Sequence, residues 1–285
     1  MKINGKTKVM GLIGHPVEHT LSPVIHNTIA ACMGENMVYT AFPATEDTQA
    51  VLKGAFALGI QGMNVTVPYK SAVIPYLADI DKEAKIIGAV NTLVRTEDGF
   101  KGYNTDLKGL YRAITSEGIR LERSRVIIIG AGGAARAAAF MCAFHGAESI
   151  VICNRTLDKA ENIAREIQEK TQFGNIRAIS IADWRSIKGG GCLVLQATKV
   201  GLYPDTESSP IEDEAFFEKA AVAYDLIYTP QETKFMRLAK GKQIPAYNGL
   251  KMLLYQGVAA YEMWNQVQVP EEIVQKAYRA LQEEL

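Results

Sequence analysis

The stretch R-V-I-I-I-G-A-G-G-A-A, residues 125–135, decides the fold of this chain. Its first part is a short β-branched apolar run of the kind that is buried in a parallel sheet. Its second part fits the G-x-G-x-x-G/A pattern: Gly130 permits a tight turn, Gly132 lets backbone approach a phosphate, and Ala135 leaves room for a helix to pack on the strand. An alanine-rich stretch and a second apolar run, S-I-V-I-C at 149–153, follow. This order of strand, turn, helix and strand predicts a Rossmann-like unit.

The same turn is the predicted place for the phosphates of a nucleotide. A helix that begins at these glycines presents free backbone N–H groups and the positive end of its dipole to an anion. The alternative is a glycine-lined structural turn, but the complete order of elements favours nucleotide binding. The residues expected to contact the phosphates are Gly130, Gly132, Gly133 and Ala134.

The end of the second apolar run indicates which nucleotide is bound. NAD-binding versions of this pattern usually place an acidic residue about twenty positions past the glycines, where it holds the ribose hydroxyls. This chain has Asn154, Arg155 and Thr156 there. The planar fork of Arg155 suits a 2′-phosphate, and Lys159 adds a second positive charge one helical turn on, so we expect NADP rather than NAD. Asp158 is the one residue that favours NAD, but we interpret it as an ordinary acid at a helix N-terminus.

Three further motifs place polar side chains at the borders of predicted strands and turns. They are N-V-T-V-P-Y-K at 64–70, G-A-V-N-T at 88–92 and Y-N-T-D at 103–106. Lys70 and Asp106 are candidates for a proton-handling pair, because a carboxylate beside a lysine positions the ammonium and sets its titration. Taken singly, Lys70 is an ordinary surface residue and Asp106 is an N-cap for the helix that follows. Beside the nucleotide motif, we interpret the set as an active site.

The first of these motifs predicts a strand that ends at a proline. Pro68 removes a backbone donor, ends the ladder and delivers Lys70 to a loop or a helix start. Alternation along the strand predicts an apolar and a polar face, formed by Met63, Val65 and Val67 and by Asn64 and Thr66 respectively.

A loop with prolines, histidines and hydroxyl groups lies near the start of the chain, H-P-V-E-H-T-L-S-P-V-I-H-N at 15–27. Pro23 predicts a helix start, where the hydroxyl of Ser22 and the helix N-terminus suit a carboxylate. The alternative is a plain helix cap by Ser22. No metal site is expected, because the histidines lack the i, i+4 spacing of a helical zinc pair; they are His15, His19 and His26.

Composition is that of an ordinary globular enzyme. The chain has 285 residues, of which 48% are hydrophobic, so it is long enough for two cores. Its 31 basic and 31 acidic residues balance, which argues against nucleic acid or an anionic membrane as a partner. There is no apolar run of about eighteen residues and no signal-like start, so we expect a cytoplasmic protein. The cysteines are expected to be reduced core residues: Cys32, Cys142, Cys153 and Cys192.

The order of the motifs predicts two α/β domains. Residues 1–107 alternate between strand and helix patterns and form the first, and residues 108–247 form the nucleotide domain. Later strands of the nucleotide domain are expected around C-L-V-L-Q-A at 192–197 and V-A-Y-D-L-I at 222–227. The remaining residues, 248–285, have helical periodicity.

The motifs already quoted form one collinear set with G-L-I-G at 11–14, D-L-I-Y-T-P at 225–230 and N-G-L-K-M-L-L-Y-Q-G at 248–257. In this set the chain resembles the shikimate dehydrogenase family over nearly its whole length. The resemblance implies that the tail, 248–285, packs back on the first domain. That domain would bind the substrate, and a cleft would separate it from the Rossmann-like NADP-binding domain.

The resemblance also implies an activity and a set of site residues. The activity is a reversible NADPH-dependent reduction of 3-dehydroshikimate to shikimate, in chorismate and aromatic amino acid biosynthesis. Lys70 and Asp106 would form the catalytic pair, and the substrate's carboxylate and hydroxyls would be bound by Thr20, Ser22, Thr66, Asn91 and Gln256. Tyr228 would lie near the substrate, between the two domains.

Two positions depart from the family pattern. Thr20 stands where the family has a serine, which keeps the hydroxyl and adds a methyl group. Gln196 stands where the family has an asparagine, which keeps the amide on a longer arm.

Three other functions stay open on the sequence. The nearest is an NAD-dependent quinate/shikimate dehydrogenase, which Thr20 and Asp158 favour. The second is another two-domain nicotinamide enzyme, and the third is a non-enzymatic relative that senses the ligand. In each case the expected partner is a small molecule, and the expected assembly is a monomer or a homodimer.

Overall fold

The computed structural model describes residues 3–45 and 47–285, and these divide into two compact units. One unit comprises the described residues up to Gly109 together with Leu253–Glu284, and the other is Leu110–Met252. Both units are α/β, as the sequence predicts. Within the described ranges, no helix has both the length and the apolarity needed to cross a bilayer.

The first unit is built on a mixed six-stranded sheet in the order β2-β1-β3-β5-β6-β4. β1 pairs in parallel with β2 and β3, whereas β3, β5 and β6 pair antiparallel, and β4 is parallel to β6. The strands are β1 Lys8–Gly14, β2 Met37–Pro43, β3 Gly62–Val65, β4 Asp79–Ile80, β5 Thr92–Arg95 and β6 Phe100–Tyr103. The helices are α1 Ser22–Met33, α2 Thr48–Ala57, α3 Tyr69–Ala72, α4 Lys82–Ile87 and α5 Asp106–Ser116, with a 3₁₀ turn at Ile74–Tyr76.

Strand β3 is shorter than its alternating pattern predicts. Met63 and Val65 are buried, but Val67 is 67% exposed, so its predicted place on the apolar face is wrong. The physical reason is Pro68: the chain leaves the sheet after Val65 and turns into α3, whose first residue is Tyr69. Asn64, expected on a polar face, is also buried, because both faces of this central strand are covered.

The second unit has the fully parallel sheet that the glycine pattern predicts, in the order β12-β11-β10-β7-β8-β9. The strands are β7 Arg125–Ile129, β8 Ser149–Asn154, β9 Ile176–Ser180, β10 Cys192–Gln196, β11 Ala220–Asp225 and β12 Ala246–Tyr247. The helices are α6 Gly133–Phe144, α7 Leu157–Thr171 and α8 Lys234–Gly241, with 3₁₀ segments at Ile181–Ser186 and Glu214–Lys219.

The cysteines lie largely in the cores. Cys142, Cys153 and Cys192 are buried free thiols, and burial raises the pKa of each. Cys32 is exposed near the end of α1, so the expectation that it belongs to a core is wrong. The apolar pattern of A-A-C-M reaches the last turn of the helix, where the helix has begun to leave the core.

The end of β11 contains a buried carboxyl group, Asp225. Its Oδ1 accepts from the N–H of Ile227 at 3.0 Å and its Oδ2 accepts from the hydroxyl of Thr233 at 2.6 Å. Burial raises the pKa of Asp225 to about 6, although these hydrogen bonds and one from Gln196 act in the opposite direction. The group therefore ties the start of the 226–233 segment to its end, and among the described residues it has no cationic partner.

The tail forms two helices of the first unit. They are α9, Leu250–Asn265, most of which belongs to that unit, and α10, Glu271–Glu283. The indole N–H of Trp264 donates to the carbonyl of Leu93 on β5 at 2.9 Å. Helices α5 and α9 approach closely at Gly109, where a Cβ atom would lie 2.7 Å from both the backbone nitrogen and the Cβ of Gln256. Glycine is required there because no side chain fits between the two backbones.

Replacing Gly109 by alanine is expected to destabilise the protein by about 1–3 kcal/mol, because the added methyl group forces α5 and α9 apart. Gly54 in α2 is the matched control, since a Cβ there meets nothing within 4 Å. Gly54→Ala should stabilise by about 0.5–1 kcal/mol through the backbone entropy of the unfolded chain. Thermal unfolding of both variants measures the contrast, and a rise in stability for Gly109→Ala would contradict the packing described.

Asp225→Asn is expected to flatten the dependence of stability on pH. The folded-state pKa of about 6 lies above the ordinary value of 3.8, so between these pH values the folded protein holds a proton that the unfolded chain has released. The free energy of unfolding therefore falls as pH rises through this window, by up to roughly 3 kcal/mol. Asparagine does not titrate and removes this contribution. Urea unfolding from pH 4 to pH 7 measures it; parallel profiles for the two proteins would contradict the assignment.

Candidate functional site

The first unit brings Lys70 and Asp106 together. The Nζ of Lys70, on α3, lies 2.6 Å from Oδ2 of Asp106, the first residue of α5. The two side chains are 34% and 17% exposed, so the pair is reachable from solvent but partly enclosed. The carbonyl of Lys70 also accepts from the N–H of Val90 at 2.8 Å, which fastens α3 to the segment before β5. A close, partly open lysine–carboxylate pair is suited to proton transfer.

Asn91 holds the other oxygen of the carboxylate. Its Nδ2 donates to Oδ1 of Asp106 at 2.8 Å and to the hydroxyl of Thr105 at 3.0 Å. Its Oδ1 accepts from the backbone N–H of Thr105 at 2.7 Å. Because a backbone N–H can only donate, this contact defines which end of the amide faces Asp106. Each carboxylate oxygen thus has its own donor, and the orientation of the Asp106 side chain is defined.

Asp106 does not act as the N-cap of α5. It is the first residue of the helix, and its carboxylate is engaged by Lys70 and Asn91. The backbone N–H of Asp106 instead donates to the side chain of Asn104 at 3.0 Å. The capping alternative for Asp106 is therefore wrong, because Asn104 supplies the acceptor at this helix start.

Thr20 and Ser22 lie together at the start of α1. The hydroxyl of Thr20 donates to the hydroxyl of Ser22 at 3.2 Å and accepts from the backbone N–H of Ser22 at 3.3 Å. Ser22 is the first residue of the helix and its side chain makes no cap hydrogen bond, so the plain capping role is wrong. The threonine at position 20 preserves the hydroxyl pair.

Thr66 and Gln256 are placed by close approaches of the backbone at glycines. The methyl group of Thr66 lies where a Cβ of Gly14 would otherwise be, so a glycine at the end of β1 makes room for it. Gln256 packs on Gly109, one turn beyond Asp106 in α5, and its Nε2 donates to the carbonyl of Leu253 at 2.8 Å. Gln256 is thereby held on helix α9, and Thr66 is held in the turn that follows β3.

Several residues of this cluster carry no role in the sequence argument. Asn64 donates through Nδ2 to the carbonyl of Asn91 at 3.2 Å and to the hydroxyl of Thr92 at 3.1 Å. The hydroxyl of Tyr39 donates to Oδ1 of Asn64 at 2.8 Å. The signal that could have identified Asn64 is a polar side chain inside a strand whose neighbours are apolar; Thr92 could have been identified from its place in the G-A-V-N-T motif. Tyr39 carries no such signal, because tyrosine is common in half-buried strands.

In the second unit, all the residues predicted to bind a nucleotide line one cavity of about 410 Å³. They are Gly130, Gly132, Gly133, Ala134, Asn154, Arg155, Thr156 and Lys159. The cavity lies at the carboxyl ends of β7, β8 and β10, and its remaining lining is Ala131, Ala197, Thr198, Lys199, Leu226 and Ile227. This is the edge of a parallel sheet at which ligands of such folds bind.

The glycine turn leaves the N-terminus of α6 open. Gly130 has φ +114°, and a Cβ there would lie 3.0 Å from the carbonyl oxygen of Ala197. In the described ranges, nothing lies within 4 Å of the Cβ positions of Gly132 and Gly133, and no side chain caps the helix. Its first N–H groups are therefore free to receive an anion such as a pyrophosphate.

Arg155 and Lys159 supply positive charge at the cavity rim. Both are exposed, and in the described part of the chain neither forms an ion pair with a carboxylate. The side chain of Asn154 donates to the carbonyl of Thr156 at 2.7 Å, which shapes the turn between β8 and α7. Asp158 lies in the first turn of α7 and does not line the cavity. A donor set of backbone amides and unpaired cations fits a phosphorylated dinucleotide.

The side chain of Gln196 forms hydrogen bonds with the backbone of the turn that follows it, beside this cavity. Its Nε2 donates to the carbonyl of Val200 at 3.1 Å, and its Oε1 accepts from the N–H of Thr198 at 2.5 Å. The longer amide arm thus fixes the 197–200 loop, part of which lines the cavity. Tyr228 is half-buried and burial raises its pKa; it does not line the cavity itself, although Leu226 and Ile227 do.

Models of three protein domains match the chain. They are the shikimate dehydrogenase substrate binding domain over residues 12–93, shikimate/quinate 5-dehydrogenase over 112–184, and the shikimate 5′-dehydrogenase C-terminal domain over 249–277. A curated relative, shikimate dehydrogenase (NADP(+)) of Methanocaldococcus jannaschii, is 43% identical over 96% of this chain and 97% of its own length.

Solved structures agree with this match over nearly the full length. A crystal structure of a shikimate dehydrogenase in complex with NADP⁺ has a TM-score of 0.88 and 42% identity, and the match covers 97% of this chain and 96% of the other. The shikimate 5-dehydrogenase of Listeria monocytogenes, in complex with shikimate and NAD, has a TM-score of 0.89 and 30% identity, with 97% and 98% coverage. The chain belongs to the shikimate dehydrogenase family.

Proposed function

We propose that this protein catalyses the reversible NADP-dependent reduction of 3-dehydroshikimate to shikimate, within aromatic amino acid biosynthesis. The observation that carries the proposal is the pair formed by Lys70 and Asp106, with Asn91 on the second carboxylate oxygen. Family membership supplies the substrate class, and the free cations Arg155 and Lys159 support NADP. We place the activity in the cytoplasm.

In this proposal Lys70 is the acid–base residue. The nicotinamide, when bound, supplies or accepts the hydride at the carbon that bears the oxygen. The ammonium of Lys70 donates a proton to the developing alkoxide in the reduction and takes it back in the oxidation. Asp106 holds the ammonium in place at 2.6 Å, and Asn91 keeps the carboxylate from rotating away.

The remaining polar residues of the first unit would bind the substrate. The paired hydroxyls of Thr20 and Ser22, at the start of α1, suit its carboxylate. Its ring hydroxyls would be bound by Thr66, Asn91 and Gln256, and the family resemblance assigns Tyr228 to the substrate as well. Residues 1–107 with 248–285 would thus form the substrate domain, and 108–247 the NADP domain.

In the second unit, the backbone amides at Gly132 to Ala134 would hold the pyrophosphate, and Gly130 would make the turn. Arg155 and Lys159 would hold the 2′-phosphate, with Asn154 and Thr156 shaping the turn beside them. Assembly as a monomer or a homodimer remains part of the proposal.

The second candidate is an NAD-dependent quinate/shikimate dehydrogenase. One relative of known structure is described in complex with shikimate and NAD. Against this candidate stand Arg155 and Lys159, whose unpaired charges have no partner on NAD. A ligand sensor without activity is disfavoured by the assembled Lys70–Asp106 pair.

The test is a set of initial rates in the oxidation direction, with shikimate and quinate each assayed against NADP and NAD. We expect turnover of shikimate with NADP to exceed the other three combinations. Preferred turnover of quinate with NAD would support the second candidate instead, and no turnover of either substrate would overturn both.

In the same assay, Arg155→Ala is expected to raise KM for NADP by at least tenfold and to leave KM for NAD nearly unchanged, because only NADP carries the 2′-phosphate. Arg165→Ala is the matched control, since Arg165 is an exposed cation on α7, the helix that follows Arg155, and does not line the cavity. An equal loss with both nucleotides would show that Arg155 does not read the 2′-phosphate.

Lys70→Ala is expected to lower kcat by on the order of a hundredfold or more with little change in KM, as for the loss of an acid–base group. Lys101→Ala is the control, because Lys101 also forms an ion pair, with Asp79 at 2.7 Å, and is 32% exposed in the same unit. It should retain normal rates. A rise in KM with kcat preserved would assign Lys70 to binding.

A further inference from the structure

The hydroxyl of Tyr39 begins a directional chain of hydrogen bonds that ends at Asp106. Tyr39 donates to Oδ1 of Asn64 at 2.8 Å, and Asn64 Nδ2 donates to the hydroxyl of Thr92 at 3.1 Å. Thr92 donates to Oδ1 of Asn91 at 3.0 Å, and Asn91 Nδ2 donates to Asp106 at 2.8 Å. The hydroxyl of Thr92 also lies 3.0 Å from the hydroxyl of Thr105, and either of the two can donate, so the polarity of the chain is set by its two amides, Asn64 and Asn91, rather than by the hydroxyl between them.

Two backbone groups define that polarity independently of the side chains. The carbonyl of Asn91, which can only accept, receives Nδ2 of Asn64 at 3.2 Å. The N–H of Thr105, which can only donate, contacts Oδ1 of Asn91 at 2.7 Å. The Asn64 oxygen is therefore turned toward Tyr39, and it is buried with its residue only 4% exposed. It requires a donor there, which the phenol hydroxyl supplies.

Tyr39 is buried and is held in place by residues of α1. It is 2% exposed, and its ring stacks on His26 with centroids 4.1 Å apart. The side chain of Asn27 brackets its backbone: Nδ2 donates to the Tyr39 carbonyl and Oδ1 accepts from the Tyr39 N–H, each at 2.9 Å. β2 is the edge strand of its sheet, so α1 supplies these partners in place of another strand. The position of the phenol oxygen is thus defined by α1 and β2.

We infer that Tyr39 is a positioning residue for the Lys70–Asp106 pair, acting through Asn64, Thr92 and Asn91. The inference rests on the proposed function for its catalytic meaning. Without the hydroxyl, the buried oxygen of Asn64 loses its donor. The amide then turns toward another donor and gives up its bonds to Asn91 and Thr92. The carboxylate of Asp106 loses its defined orientation, although neither Tyr39 nor Asn64 touches it.

The test is Tyr39→Phe, compared with Tyr261→Phe. Both residues are buried tyrosines of the first unit, but in the described part of the chain the hydroxyl of Tyr261 has no hydrogen-bond partner. We expect Tyr39→Phe to lower kcat for shikimate by on the order of tenfold, as for a misplaced catalytic group, and to shift the pH profile of kcat. Tyr261→Phe should leave both unchanged. Equal rates and profiles for the two variants would overturn the inference.

A double-mutant cycle separates positioning from a general structural role. If Tyr39 acts through Asn64, Tyr39→Phe causes no further loss of kcat in an Asn64→Ala background. Independent, multiplicative losses would overturn the inference. Thr92 gives a second route should Tyr39→Phe fail to fold: Thr92→Val removes the next hydroxyl and should lower kcat similarly, whereas Thr92→Ser retains it and should restore the rate.

One readout does not depend on turnover. The side-chain amide signals of Asn64 and Asn91 in ¹⁵N-labelled protein should move in Tyr39→Phe and stay in place in Tyr261→Phe. If the wild-type protein fails to oxidise shikimate, the proposed function fails, while these signals still decide whether the chain of hydrogen bonds exists. Unmoved signals in Tyr39→Phe would overturn the inference whatever the substrate.

Discussion

The hydrogen bond from Asn91 to Asp106 is the interaction on which the arrangement of the first unit depends. A carboxylate with one donor can rotate about its last bond, whereas a carboxylate held at both oxygens cannot. Asn91 lies between the end of β3 and the start of α5. Its backbone carbonyl accepts from the N–H of Val65 at 2.8 Å and from Nδ2 of Asn64 at 3.2 Å, and its side-chain oxygen accepts from the N–H of Thr105. One buried residue therefore joins the sheet, through its carbonyl, to the helix that carries Asp106, through its side chain, and the lysine of α3 completes the cluster.

The second unit uses a different principle. Its cavity is open at the glycine turn, where side chains are lacking, and has the cations Arg155 and Lys159 at its rim. The backbone N–H groups and these cations are therefore available to a ligand and are not bonded to each other. The loops after β10 and β11, which contribute to the cavity, are held in place by hydrogen bonds with the side chains of Gln196 and Asp225. The carboxyl of Asp225 tolerates burial because three neutral donors surround it. The first unit thus contains a cluster of polar side chains bonded to one another, and the second contains an open cavity with donor groups along its wall.

Local patterns predicted the two α/β units and the residues that line the cavity of the second unit. The parallel sheet of the second unit follows from β-branched runs and glycine spacing, and Lys70 and Asp106 stand out because charged residues flank apolar strands. The prediction for Val67 is wrong because the alternation of apolar and polar residues continues past the point at which the chain leaves the sheet before Pro68. Tyr39 and Asn64 could not be paired from the sequence, because their contact joins separate strands across β1 and depends on three-dimensional register. The exposure of Cys32 likewise depends on where a helix leaves the core.

The close approach of α5 and α9 at Gly109 has a consequence for the order in which the chain folds. Residues up to Gly109 need Gln256 and the helices after it to complete their packing, yet the continuous segment Leu110–Met252 is synthesised in between. The second unit is essentially one continuous segment, while the first unit lacks part of the packing of α5 until the final residues emerge from the ribosome. The start of α5, which carries Asp106, therefore acquires its full packing only after the last helices of the chain have been made.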